Sequence, residues 1–243
     1  MFLKYHRFLL SGTFYSLSSF PLRAFTILHC FMSAVHKISH PVVNAELSKL
    51  RLSGTTPKEF REGIHHIAFV LGLEASKDLE EETFNGQTPI APFKGTTIKP
   101  RIGLTPILRA GLGMTDALLT LFPSAPVYHL GIFREKVTLQ PVEYYSKLPA
   151  QPPVDMVYLL DPLIATGGTA IAALTMILDW GIPVDKIKLL CVLASQEGLQ
   201  NVQVQYPGVE IWVAGIDETL TQDGLISPGL GDTGDRLFNT LRP

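Results

Sequence analysis

The sequence predicts an α/β fold in which a mostly parallel sheet is flanked by helices. Three observations carry that expectation. Beyond Pro100, short apolar runs alternate with stretches of helical period, the order in which crossover helices join parallel strands. Hydrophobic residues make up 46% of the 243, enough to fill a sizeable core. One apolar run ends in an acid and passes through a loop of small residues into a helical stretch, which places ligand chemistry at a strand's carboxyl end.

Thr56-Pro57-Lys58-Glu59 reads as an N-cap, a proline in the first turn and the glutamate of a capping box. Phe60, Ile64, Ile67, Ala68, Leu71 and Ala75 follow at helical spacing, an apolar stripe that buries in the core or serves an interface between subunits. His65 and His66 are neighbours and point to different faces, so they do not read as a metal pair. Strands are expected over Ile102–Leu108, Val127–Phe133, Met156–Leu160, Ile187–Leu193 and Glu210–Ile216. Helices are expected over Met114–Phe122, Thr169–Trp180 (stopped by Gly181 and Pro183) and Gln196–Gln203. Asp217 to Gly234 is rich in Gly and Asp and shows no period, the mark of a functional loop.

The first 45 residues differ from the rest. They hold no Asp or Glu, four bases (Lys4, Arg7, Arg23, Lys37) and six of the thirteen phenylalanines, leaving 16 bases against 22 acids beyond them. Residues 1–40 are therefore set apart as an N-terminal extension and 41–243 as the domain. The extension reads as a disordered or misassigned start with Met32 as a second initiation point, as a mitochondrial transit peptide, or as a membrane anchor. Pro21 and Arg23 break its apolar run short of a membrane span. The formal charge of −2 carries no basic stripe and argues against a nucleic-acid partner. Cys30 and Cys191 stand far apart with no metal-ligand spacing, which fits a reducing, cytoplasmic setting, or a mitochondrial one if the extension is a transit peptide.

The sharpest local signal runs from Val157 to Thr169. A strand ends at Asp161, and Pro162, Leu163, Ile164, Ala165, Thr166, Gly167, Gly168 and Thr169 lead into a helix. Backbone N–H groups and two hydroxyls at a helix N-terminus suit a phosphomonoester, with Asp161 placed to hold sugar hydroxyls beside it. Arg109 lies between a strand and a glycine turn, where a guanidinium forks onto diphosphate oxygens. Arg134 opens a charged segment that reads as a hairpin arm or lid. No GxxxxGK[ST], GxGxxG after a strand, or GxSxG is present.

The Val157–Thr169 segment resembles the 5-phosphoribosyl 1-diphosphate (PRPP) motif of type I phosphoribosyltransferases. Its single acid before Pro162 resembles the uracil phosphoribosyltransferases in particular. Pro106–Met114, the arm from Phe133 to Val142, and Ser227-Pro228-Gly229-Leu230-Gly231-Asp232-Thr233-Gly234-Asp235 are similar to further segments of that family. Thr169 stands where many members have Ser, Phe133 where Tyr is frequent, and Ser227 where an aliphatic is common. The resemblance covers about residues 44–243 and implies a type I phosphoribosyltransferase-like fold that converts uracil and PRPP to UMP and diphosphate with Mg2+. It implies Asp161, Asp232 and Arg134 as catalytic residues and a PRPP site from Arg109, Arg134, Asp161–Thr169 and Asp232. Ile226, Gly231, Asp232 and Thr233 would contact uracil, and Asp235 is a possible metal ligand. A homodimer or homotetramer is implied as well, and activation by GTP, which occurs in some members, stays open.

Overall fold

The computed structural model describes residues 35–134 and 141–240. In chain order they form β1 (Val35–Lys37), α1 (Pro41–Arg51), α2 (Pro57–Ala75), β2 (Glu81–Gln87), β3 (Pro92–Ile98), β4 (Ile102–Leu108), α3 (Leu112–Leu121), β5 (Leu130–Arg134), β6 (Pro141–Ser146), β7 (Met156–Leu160), β8 (Leu163–Ile164), α4 (Gly168–Trp180), β9 (Ile187–Ser195), α5 (Gln196–Gln205), β10 (Glu210–Asp217), β11 (Thr219–Leu220), β12 (Ile226–Ser227) and α6 (Thr233–Phe238).

Among the described residues the main sheet has eight strands. Its order is β1-β10-β9-β7-β4-β5-β6, and β8 pairs beside β7 on β9. Every pairing in it is parallel except β5 with β6. The predicted mostly parallel α/β fold is therefore present. Successive residues of β7 point to opposite faces, as a pleated strand requires. Tyr158 and Leu160 pack with α2 and α3, whereas Val157 and Leu159 pack with α4.

The capping box at Thr56 forms as expected: the Glu59 amide donates to Thr56 Oγ1 (3.3 Å) and the Thr56 amide to Glu59 Oε2 (2.9 Å). All six apolar positions expected on α2 are buried. The stripe packs on the sheet and on α3. Burying Phe60, Ile64, Ile67 and Leu71 contributes roughly 1.5–3 kcal/mol each.

Three boundaries differ from expectation for physical reasons. The sheet begins at Val35, ahead of the boundary placed at residue 41, because β1 is too short to show a period. The strand expected from Val127 appears as a single bridge, Val127 to Leu104, before β5 starts at Leu130. Pro106 of β4 has no N–H to continue that ladder. The stretch from Asp217 contains β11, β12 and the start of α6, pinned by side chains that a period search does not see. The extension before Val35 and the Glu135–Gln140 part of the arm lie outside the described residues.

Candidate active site

From β4 the chain passes through α3 to β5 on one side, whereas from β7 it passes through α4 to β9 and then α5 to β10 on the other. The order reverses between β4 and β7, which are neighbours with Pro106 facing Leu160. Such a switch point opens a crevice beyond the carboxyl ends of the strands. Arg109 follows β4 there and Asp161 follows β7. The turn after β4 lies hard against β7, for a Cβ on Gly111 would stand 2.4 Å from the Leu160 carbonyl oxygen.

Asp161 is 8% exposed. Burial pushes its carboxyl from the ordinary 3.8 up to about 7, against the pull of the Leu163 backbone N–H. Pro162 O accepts the amides of Val192 and Leu193, which locks the chain to β9. The following loop is tied down by its carbonyl side: Ala165 O accepts from Ser195 Oγ and Thr166 O from Asn201 Nδ2 (3.1 Å). Gly167 precedes α4 with φ +84°, a conformation that favours glycine. Gly198 in the first turn of α5 lets the loop approach, since a Cβ there would lie 2.1 Å from Ala165 O. Gly168 and Thr169 then open α4, whose N-terminus faces the carboxyl edge.

Arg109 is joined to the C-terminal segment. Its Nη2 donates to Asp235 Oδ1 (2.8 Å) and its Nη1 to Thr240 Oγ1 (3.2 Å), with the guanidinium half exposed. Asp232 caps α6, accepting the Asp235 amide at Oδ1 (2.8 Å). A Cβ on Gly234 would stand 3.4 Å from Arg109 Nη2 and 3.3 Å from Asp232 Oδ1, so these groups share one corner. The Thr233 hydroxyl is buried with no hydrogen-bond partner among the described residues. Ile226 lies in β12, and Gly231 has φ +71°. Arg134 is the last residue of β5, paired in register with Pro141 of β6, so the arm is a hairpin.

No group of three or more His, Cys, Asp or Glu side chains among the described residues forms a metal cage. Asp235 Oδ1, the possible metal ligand, accepts from Arg109 and also from Thr240 Oγ1 (2.6 Å).

The groups that seat the C-terminal segment were not anticipated from sequence. Arg51 forks onto Asp217 (Nη1 to Oδ2, 2.8 Å; Nη2 to Oδ1, 2.7 Å). Arg236 reaches Leu230 O (2.7 Å) and Leu52 O (2.6 Å) and stacks over Phe60, 4.2 Å from the ring centre. Arg61 Nη1 reaches Leu237 O (2.7 Å). Arg61 reaches a partner 176 residues away and Arg236 one 184 residues away, separations that no local pattern spans.

The carboxyl edge therefore gathers a buried acid, a helix-opening cradle, a half-exposed arginine and a tight glycine-rich loop. Comparison with known proteins agrees with what that gathering suggests. The family described as uracil phosphoribosyltransferase matches residues 37–240. A uracil phosphoribosyltransferase of Roseiflexus sp. is 47% identical over 209 residues, 86% of this chain and all of that protein. One of Symbiobacterium thermophilum is 46% identical over 210 residues, with the same coverage of both chains. The solved structure of the AQ2163 protein from Aquifex aeolicus superposes with a TM-score of 0.80 at 36% identity, over 84% of this chain and 98% of that one.

Proposed function

The chain belongs to the uracil phosphoribosyltransferase family, and we infer from that premise that it joins uracil to PRPP, yielding UMP and diphosphate in pyrimidine salvage. The observation that carries the reading is the convergence of Arg109, Asp161, the Ala165–Thr169 cradle and the 226–235 segment on one crevice at the switch point.

In this proposal the amides and hydroxyls of Ala165–Thr169 take the 5′-phosphate, an anion suited to a helix N-terminus. Asp161 takes the ribose hydroxyls and, once ionised, faces the positive charge that grows on the sugar as the C1′ bond to diphosphate breaks. Arg109 leaves Asp235 for the diphosphate. An ion pair of its exposure is worth about 0–1 kcal/mol, which a multiply charged ligand outcompetes. Arg134, at the base of the arm, is the second arginine this reading assigns to the diphosphate. Backbone groups of Ile226, Gly231 and Thr233 read the uracil edge, and Asp232 lies between base and diphosphate. Positioning and fixed charge supply most of the rate.

The donor set fits magnesium of one kind. With Asp232 capping a helix and Asp235 bonded to Arg109, the chain offers isolated carboxylates, which suits an ion carried by the substrate's phosphates. When bound, Mg2+ neutralises charge on the leaving diphosphate.

The full chain incubated with uracil, PRPP and magnesium should form UMP, followed by chromatography, and cytosine or hypoxanthine in place of uracil should give no nucleotide. Product from another base would move the base assignment. PRPP binding without product from any base would favour a sensor that keeps the fold without turnover.

A further inference from the structure

We infer that Arg51 and Asp217 are positioning residues for uracil: a clamp on the turn at Gly229, making no contact with the Ala165–Thr169 cradle, that fixes the height and tilt of the base-reading part of the 226–233 loop. This rests on the base-binding reading of that loop and deepens it. Asp217 closes β10, and Arg51 closes α1. Between them they hold both polar groups of one peptide residue. The Gly229 amide donates to Asp217 Oδ2 (2.9 Å), and Arg51 Nη1 donates to Gly229 O (3.1 Å).

The loop has little room to settle elsewhere. Gly229 has φ +66°, and a Cβ there would meet Ile226 O at 2.1 Å, so the turn from Ile226 to Gly229 closes on itself. One residue on, the Leu230 side chain is buried and its carbonyl accepts from Arg236. The Gly229 amide, the Gly229 carbonyl and the Leu230 carbonyl thus end on Asp217, Arg51 and Arg236 in turn. On the base-binding reading it is the flanking residues, Ile226 on one side and Gly231 to Thr233 on the other, that meet uracil.

The ion pair is well placed for such a task. The Asp217 side chain is 7% exposed and that of Arg51 28%, so neither is a loosely solvated surface charge. Burial opposes ionisation of Asp217, but the Arg51 fork and the Gly229 amide outweigh it and hold the carboxyl below its usual range. A clamp of packed hydrocarbon would hold the same elements together without fixing the direction of a peptide. An ion pair whose two members bond opposite ends of one residue fixes direction as well. Uracil is read by hydrogen-bond direction, so a tilt of the loop penalises the base and leaves the phosphate cradle alone. Arg51 and Asp217 make none of the contacts that hold the Ala165–Thr169 loop, which hangs on Ser195 and Asn201.

The test is steady-state kinetics on Arg51→Met, Arg51→Lys and Asp217→Asn in the full chain, with PRPP affinity measured separately by calorimetry. Arg51→Met should raise the KM for uracil at least about tenfold and narrow the preference for uracil over cytosine, with PRPP affinity within about twofold of wild type. Arg51→Lys, which keeps the charge and loses the fork, should fall between. If Arg51→Met does not fold, Arg51→Lys and Asp217→Asn decide by the same split. A uracil KM unchanged in the folded variants, or uracil and PRPP affinity falling together, overturns the clamp. Wild-type chain that makes no UMP would instead overturn the function itself, and the two failures are told apart by that control.

Discussion

At the scale of single residues, Asp161 carries a conflict between stability and function that can be measured. In the unfolded chain its carboxyl ionises near 3.8, and in the folded protein near 7. The folded state therefore binds more protons between those values. The stability owed to this group is complete below about pH 4 and is lost as pH rises through about 7. A rise of that size corresponds to something on the order of 4 kcal/mol. Asp161→Asn cannot ionise and escapes the loss. Relative to wild type, its melting temperature should climb between about pH 4 and pH 8, while its turnover falls by a hundredfold or more, on the order expected for a charge that faces the transition state. Thermal melts across that range check the first claim. A difference between the two proteins that does not change with pH would refute the burial argument. In the wild type, kcat/KM for PRPP should rise with pH through about 7, because the free enzyme must ionise this acid.

At the scale of elements, the phosphate loop shows why position in the chain is a poor guide to which residues matter. Gly198 touches no expected ligand, yet it is where α5 admits the Ala165 carbonyl. Backbone atoms that meet a new methyl at 2.1 Å cannot turn aside as a side-chain tip would, so Gly198→Ala must shift the loop. PRPP affinity should drop at least about tenfold with helical content by circular dichroism unchanged. Retained affinity would mean that the loop's height does not govern the cradle. What the sequence made legible were elements whose signals are local. The α2 stripe, the capping box at Thr56, the bounds of β4 and β7, and the Gly181 stop after α4 each depend on residues within one or two turns. The acid, cradle and arginine of the site were legible for the same reason. Gly198, Arg51, Asp217 and Arg236 were not, because each acts on a partner far along the chain. The β2–β3 hairpin escaped notice because its residues alternate no buried face, the signal by which a strand is recognised.

At the scale of the molecule, that hairpin is the part the single chain leaves unexplained. Among the described residues β2 and β3 pair only with each other, and nearly all their side chains are exposed. Phe84 and Phe93 meet edge to face with ring centres 5.9 Å apart, and both stay about half exposed. Ile90 at the tip is 94% exposed. A two-stranded ribbon is marginal by itself in water and usually needs something to pack against. Aromatic and aliphatic groups held out on a regular hairpin mark an interaction surface rather than scattered exposure. The homo-oligomer that the resemblance implies would cover it with a second copy of the chain. The double variant Phe93→Ser with Ile90→Asp should then lower the mass measured by light scattering from that of an oligomer to that of one chain. The main sheet should survive, since the hairpin contributes no strand to it. Wild-type protein that already runs as a single chain, or a variant whose mass does not change, would put the partner surface elsewhere.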